Sequence, residues 1–508
     1  MKVLLDTNIL IHREANSVVN DDIGNLFNWI DRLHYEKWIH PLSLSEIDKH
    51  TDKNLVKTFK TKLQNYNVLR TEAKETPEIV AIRKKFDKNE NDNIDTSLIK
   101  ELFSSRVDFL ITEDRKIHEK AKEIKISDRV FTIDGFLEKV TVENPDLSDY
   151  KVLSVKRTYF GDVNLDDHFF DSFKKDYPDF ELWFNKKANK EAYICLSDNK
   201  KVLAFLYVKK EDKEENYGDI APIFPPKIRL KIGTFKVISN GYRLGERFLK
   251  IVFDNALKNK VDEIYVTIFN NREEHIRLIE LLLDWGFEYY GEKRNTFGIE
   301  KVYIKNFHPI PDKQMPKKTY PFISLSDRRK YFIVPIYPKY HTELLPDSIL
   351  NTESPKDFVE NSPHRNAIQK VYISRSLDRD LNPGDIILFY RTGDKIRPAH
   401  YSSVVTTIGI VENKIDAITN ETEFINLCRK RSVFSDNKLR EHWNHKPKSR
   451  PFIVNFLYLY TLPKRLNLEI LKKLNVITDA PRGFKEMTLL QLQTILKESK
   501  SDESFIIN

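Results

Sequence analysis

Between Asn91 and Asp114 the chain reads NDNIDTSLIKELFSSRVDFLITED, a helical pattern that runs straight into a short apolar strand, with carboxylates at both ends. Leu98, Ile99, Leu102 and Phe103 follow Asp95 at helical spacing, which predicts a helix with Asp95 at its N-terminus and its dipole facing an anionic site. Val107 to Thr112 predicts a strand that delivers Asp114 at its carboxyl end. Lys2 to Leu5 is another such strand, and it delivers Asp6 in the string LLDTN. In PLSLSEIDKH, Glu46 falls on the predicted first turn of a helix that Ser43 or Ser45 can cap. Strands alternating with helices restrict this part of the chain to a parallel α/β sheet, where ligands gather at the carboxyl ends of strands.

Four carboxylates that converge without a basic partner repel one another unless a divalent cation joins them. Hard oxygen ligands suit Mg2+ or Mn2+. Taken singly, each of these acids reads equally well as a helix cap or a strand-end polar residue. Taken together, Asp6-Thr7-Asn8, Glu46, Asp95 and ITED ending at Asp114 resemble the PIN-domain nucleases over residues 1–142, and the 19 residues from Asp95 to Asp114 fit that family. The resemblance implies Asp6, Glu46, Asp95 and Asp114 as catalytic metal ligands, with Asp92 replacing or assisting Asp95. It further implies metal-activated hydrolysis of RNA in a toxin-like, defence or RNA-processing role, and an inhibitory partner to restrain it.

A chain of 508 residues is too long for one core. Composition shifts place linkers at VTVENPDLSDY and at the Pro- and Lys-rich residues 306–320, which predicts three domains, 1–142, 150–306 and 321–508. The net charge of +8 is uneven: residues 1–140 carry 24 basic and 25 acidic side chains, residues 141–305 carry 28 of each, and residues 306–508 carry 32 against 23. A basic C-terminal part suits a polyanion such as RNA. Cys195 and Cys428 lie far apart, which predicts neither a disulfide framework nor a thiolate zinc site, but two buried small hydrophobes. No run is long and apolar enough to span a bilayer and no signal-peptide pattern opens the chain, so a cytoplasmic protein without membrane contact is expected.

In the middle, strands are predicted at Glu191 to Leu196 and Val202 to Val208, and an alternating strand from Ile228 to Ile238 runs into SNGYRLGERFLKIVFDNALKN. A strand that ends in a glycine-bearing turn and opens into a helix exposes N–H groups that can cradle a pyrophosphate. A helix from Leu244 to Lys258, a strand from Glu263 to Phe269, a helix from Arg272 to Asp284 and a strand pair from Glu288 to Ile304 complete the pattern. This order resembles the GNAT acetyltransferases, α+β proteins, over roughly residues 160–305. The resemblance implies that Val237, Ile238, Asn240, Gly241, Tyr242, Arg243, Leu244, Gly245 and Glu246 hold acetyl-CoA or CoA. Asn240 departs from the usual Gln or Arg, Arg243 stands where a glycine is normal, and Leu282 stands where many members carry a proton-donating tyrosine, for which Tyr289 or Tyr290 are the substitutes within reach.

Beyond residue 320, YFIVPIYPKYH, KVYISRSLDRDLNPGDIILFYRTG and Ser403 to Val411 predict a series of strands with turns between them. The Asn-Pro-Gly-Asp turn before IILFYR resembles the ASCH and PUA-like β-barrels, which implies RNA or modified-base recognition. Tyr337, Tyr340, Tyr372, Arg375, Tyr390, Arg391 and Tyr401 interleave aromatic and basic side chains, the pairing that stacks bases and holds phosphates. RKRSVF and HWNHKPKSR are further basic patches, with His442 and His445 as weak metal candidates, and a last helix is predicted at Leu489 to Glu498. The leading expectation is a metal-dependent endoribonuclease coupled to a CoA-binding domain and an RNA-reading domain. The alternative is an acetyltransferase that modifies an amine on tRNA or a protein, with the N-terminal domain as scaffold.

Overall fold

The computed structural model describes residues 1–14, 21–49, 53, 56, 59–60, 63–143, 155–197, 199–238, 241, 243–326, 328–348, 363–393, 402–429 and 431–507. The chain divides into two compact units, Met1–Ser148 with Ile238–Arg243, and Asp149–Val237 with Leu244–Asn508. Among the described residues no helix is long and apolar enough to cross a membrane.

The first unit is built on five strands: β1 (Lys2–Leu5), β2 (Glu36–Ile39), β3 (Asn67–Val68), β4 (Phe109–Ile111) and β5 (Val130–Phe131). They pair in the order β3-β2-β1-β4-β5, every pair parallel. Side chains alternate across a strand, so Val3, Leu5, Phe109 and Ile111 pack on one face with Ile9, Leu26 and Phe136. Leu4 and Leu110 pack on the other with Leu98, Leu102 and Ile117, which covers both faces as a parallel sheet requires.

Several helix starts differ from expectation. Helix Pro41–Asp48 is capped by His40, whose Nδ1 accepts from the Leu42 N–H at 3.2 Å, so Glu46 lies in the second turn and neither serine is the cap. Helix Glu90–Phe103 is capped by Asn89, which moves Asp95 from the N-terminus into the second turn. Between residues 53 and 69, where a helix is expected from Lys53 to Leu69, the described residues 53, 56, 59 and 60 are helical, 63–65 form a 3-10 turn and Asn67–Val68 is β3. Much of it lies outside the described residues.

The second unit carries two sheets. The first has β6 (Lys156–Tyr159), β7 (Glu191–Leu196), β8 (Val202–Glu211), β9 (Ile220–Ala221), β10 (Arg229–Val237), β11 (Glu263–Ile268), β12 (Glu288–Asn295) and β13 (Gly298–Asn306), in the order β6-β7-β8-β10-β11-β13-β12-β9. Its pairs are antiparallel except β10 with β11. The second sheet has β14 (Tyr331–Ile336), β15 (Gln369–Ser374), β16 (Ile386–Arg391), β17 (Val404–Ile415), β18 (Phe452–Asn467) and β19 (Lys485–Met487), in the order β15-β18-β17-β16-β14-β19. Here β14 and β16 are parallel, and among the described residues β15 and β19 are edges, so the pairing is an open sheet where a barrel was expected.

Residues 306–320 are not a free linker. Pro316–Thr319 form a helical turn, and the buried Tyr320 packs its ring 5.4 Å from Phe253 and 5.2 Å from Trp285 while its hydroxyl donates to the Tyr458 carbonyl at 2.8 Å. One aromatic side chain therefore ties helix Leu244–Asn259 and the C-terminal cap of helix Glu273–Asp284 to β18 of the second sheet. Of the linker expected at VTVENPDLSDY, residues 140–143 end helix Ile133–Glu143, and the rest lies outside the described residues.

Candidate functional site

In the first unit the carboxyl ends of β1 and β4 meet at the point where the strand order reverses, the place where open parallel sheets bind ligands. Asp6 follows β1, and the Thr112 hydroxyl after β4 donates to its Oδ2 at 2.7 Å. Asp114 caps helix Arg115–Glu123 through the Lys116 N–H at 2.7 Å. Glu46 accepts from the Thr7 hydroxyl at 2.5 Å. Burial lifts the Asp6 carboxyl from 3.8 to about 6 against the Thr112 and Thr7 hydrogen bonds, and the charges of Asp114 and Glu46 add to the rise. Burial likewise lifts Asp95 to about 7, with Asp114, Asp6 and Asp92 raising it and Lys120 opposing. Asp6, Glu46, Asp95 and Asp114 thus share one electrostatic neighbourhood.

Asp92 has a different environment. Its Oδ1 takes the Lys116 ammonium at 2.7 Å and its Oδ2 the Lys88 N–H at 2.9 Å, and the Lys116 bond is the main reason its pKa is lowered. Lys120 is fully buried: its ammonium lies 3.0 Å from Asp87, 3.8 Å from Asp95 and 2.6 Å from the Asp92 carbonyl. A basic side chain therefore does stand beside the acids. Carboxylate oxygens are the donors a hard divalent cation takes. Among the described residues no group of three or more His, Cys, Asp or Glu is arranged to hold a metal ion.

The second unit has a site of another kind. Strands β10 and β11 pair from Arg229↔Glu263 to Ile232↔Val266 and no further. Beyond that point β10 stays with β8 as far as Val237↔Ala204, and β11 stays with β13 as far as Ile268↔Lys301. The two parallel strands therefore part, and a wedge opens at their carboxyl ends. The β10–β8 register shifts between Ile232 and Thr234, and a Cβ on the intervening Gly233 would lie 2.8 Å from the Tyr207 ring, so this bulge needs glycine. At the mouth of the wedge Lys236 donates to the Phe169 carbonyl at 2.8 Å and to the Ser172 hydroxyl at 3.0 Å. Tyr177 lies 5.3 Å from the Phe269 ring, and burial together with Glu300 and Asp176 raises its pKa well above the ordinary phenol value. Neither Gly233 nor Tyr177 was singled out in the sequence, although a glycine inside an alternating strand is itself a bulge signal.

Helix Leu244–Asn259 starts after β10. Gly241 (φ 77°) and Arg243 (φ 56°) both adopt the left-handed backbone, so Arg243 holds the conformation a glycine would take at that position. Ile238–Arg243 group with the first unit, where the Gly241 N–H donates to Asp134 at 3.2 Å and is not left open for a ligand. Asn240 and Tyr242 lie outside the described residues. Val237, Leu244, Gly245 and Glu246 belong to the second unit, and the Glu246 carboxylate is engaged by Arg431 and by the backbone at the start of β15. Leu282 is core, Tyr289 is 54 % exposed, and the Tyr290 hydroxyl donates to the Ile223 carbonyl at 3.1 Å.

Most of the interleaved C-terminal series is architecture. Tyr390 and Arg391 are buried, Tyr372 donates to the Pro335 carbonyl at 2.6 Å, Tyr340 packs 4.7 Å from Phe434, and Arg375 donates to the Ser449 carbonyl at 2.6 Å. Tyr337 is exposed and Tyr401 lies outside the described residues. His442 packs against Phe434, and burial lowers its pKa. Both cysteines are buried and neither is in a disulfide, and burial pushes the Cys195 thiol up to about 12.

No family model matches the chain, and no curated protein matches it. Solved structures with local likeness include an ASCH protein from Zymomonas mobilis (13% identity, 33% of this chain and 95% of that chain, TM-score 0.24). Others are a GNAT-family acetyltransferase from Streptococcus agalactiae (16% identity, 31% and 98%, TM-score 0.22) and an N-acetyltransferase from Staphylococcus aureus (12% identity, 30% and 98%, TM-score 0.21). Scores and identities this low establish neither the fold nor the function of this chain.

Proposed function

We propose that the second unit binds acetyl-CoA or CoA in the wedge between β10 and β11 and transfers the acyl group to an amine on RNA or on a protein. The parting of two parallel strands at the Gly233 bulge carries this reading. Past Ile232 and Val266 each strand turns an edge toward the wedge, and such edges offer N–H and C=O groups to the amides of an extended ligand. The N-terminus of helix Leu244–Asn259, just after β10, suits the anionic end of that ligand. The resemblance of this stretch to GNAT acetyltransferases supports the same assignment for Val237, Leu244 and Gly245. When bound, the cofactor supplies an activated thioester; the protein's part is to orient it and exclude water. The amine attacks the thioester carbonyl, the C–S bond breaks and the CoA thiolate leaves; Tyr177, kept protonated by burial and Glu300 and packed beside Phe269 just past β11, is the candidate to protonate that thiolate. Incubation with acetyl-labelled acetyl-CoA, total RNA and total protein tests the reading. Labelled product from the native chain that is lost in Gly233→Val supports it; absence of any transfer and of any CoA binding refutes it.

A second reading, metal-dependent RNA cleavage by the first unit, rests on one specific observation: Asp6 and Asp95 are both lifted by burial and by shared negative charge at the switch point of a parallel sheet. Asp6, Glu46, Asp95 and Asp114 would hold the Mg2+ or Mn2+, and Asp92, held by Lys116, would stand behind Asp95. Such an ion supplies an activated water and charge for the leaving oxygen. Cleavage of labelled single-stranded RNA that needs Mn2+ and fails in Asp6→Asn, Asp95→Asn and Asp114→Asn supports this reading, and cleavage that persists in all three rejects it.

A further inference from the structure

Glu246, the third residue of helix Leu244–Asn259, is 5 % exposed, and its carboxylate meets residues of the C-terminal part of the same unit. Oε2 accepts from the Ile368 N–H at 2.9 Å and the Gln369 N–H at 3.1 Å, where the chain enters β15. Oε1 faces the Arg431 guanidinium at 3.2 Å, and the same Arg431 nitrogen donates to the Gln369 carbonyl at 2.9 Å. One residue further along the helix, Arg247 pairs with Asp347 at 2.6 Å. A glutamate in a first helical turn complements the helix dipole, and ordinary solvent would satisfy it. Here it is buried instead and given three donors, the Ile368 and Gln369 amides where the chain enters β15 and the Arg431 guanidinium from the turn after helix Glu421–Arg429, an arrangement that helix stability does not require.

Its position explains the arrangement if an anion comes to the same helix end. A free carboxylate there would oppose a diphosphate, because like charges in a site poor in water repel strongly. We infer that the C-terminal sheet is a working part of the coenzyme site: Arg431 and the two amides at the start of β15 hold the Glu246 charge aside, and so permit the diphosphate of CoA to approach. The inference rests on the proposed CoA reading and adds to it a residue far away in sequence that positions a charge without touching the ligand.

The test is calorimetric titration of the full-length native chain, Arg431→Gln, Glu246→Gln and the double variant with two probes: CoA, and pantetheine, which lacks the diphosphate. Arg431→Gln should weaken CoA about tenfold or more and leave pantetheine unchanged, since only the diphosphate meets the released charge. The double variant should return CoA affinity to within about threefold of native, because removing the carboxylate removes the need for its partner. Arg431→Lys, which keeps the charge, should bind CoA within about threefold of native. Equal weakening of both probes in Arg431→Gln, no weakening of either, or no rescue in the double variant overturns the inference while CoA binding by the native chain stands. Absence of CoA binding by the native chain overturns the coenzyme reading and this inference together.

Discussion

Asp95 and Asp92 stand three residues apart on one helix, and their fates differ because of side chains that the local sequence does not bring near. Asp92 meets Lys116, and Asp95 meets the charges of Asp114 and Asp6. The strand-end acids Asp6 and Asp114 were legible from the apolar runs before them. Which of Asp92 and Asp95 faces them was not, and neither was Lys120, because a lysine in a charged helix reads as solvated surface until the fold buries it. The raised carboxyls make a sign-definite prediction. The folded state of Asp95 binds its proton more tightly than the unfolded state, so stability is fully present below about pH 4 and is lost as pH rises through about 7. Asp95→Asn should therefore stabilise the first unit by about 1–2 kcal/mol near neutral pH and change it little near pH 4. Thermal melting at the two pH values checks this; a variant less stable than native at neutral pH would mean that the carboxylate makes a favourable bond there.

At the scale of elements, β7 matches its predicted limits and the predicted ends of β10, β11 and helix Leu244–Asn259 fall within a residue of those observed, since each has a clear period and a turn signal on either side. The longest strand, β18, went unread. Its first half, FIVNFLYLY, is buried on both faces and so lacks alternation, and Pro463 inside its second half reads as a breaker. Strands β3, β5 and β9 are two residues long and carry no period at all. The wedge was equally hidden, because the parting of β10 from β11 depends on which outer neighbour each strand follows. It makes Gly233 the sensitive position. Gly233→Val would place side-chain atoms against the Tyr207 ring, moving the bulge at a stability cost of about 1–3 kcal/mol and abolishing CoA binding. Chemical denaturation gives the first quantity and calorimetry the second; unchanged CoA affinity in a folded Gly233→Val protein would place the ligand elsewhere.

Across the whole molecule, the middle and C-terminal parts, expected as domains 150–306 and 321–508, carry one sheet each and group in one compact unit. Tyr320 and Glu246 are the reasons: residues of ordinary appearance whose partners, Tyr458 and Arg431, lie more than a hundred residues away. A chain ended after residue 305 should therefore lose the cooperative melting of its middle part, which circular dichroism and limited proteolysis would show; a sharp native-like transition would mean that the middle part folds by itself. The basic excess of residues 306–508 is tested without truncation. Lys446 and Lys448 are exposed, and replacing both by Gln should lower the slope of log RNA affinity against log salt by up to about 2, while an unchanged slope would place RNA on another face.

The most direct test of the central claim is a calorimetric titration of the native full-length chain with CoA. The wedge predicts saturable binding of one CoA per chain, with a negative heat-capacity change from apolar burial. No heat of binding at any temperature would contradict it, and would leave β10 and β11 as a splayed pair of strands without a ligand.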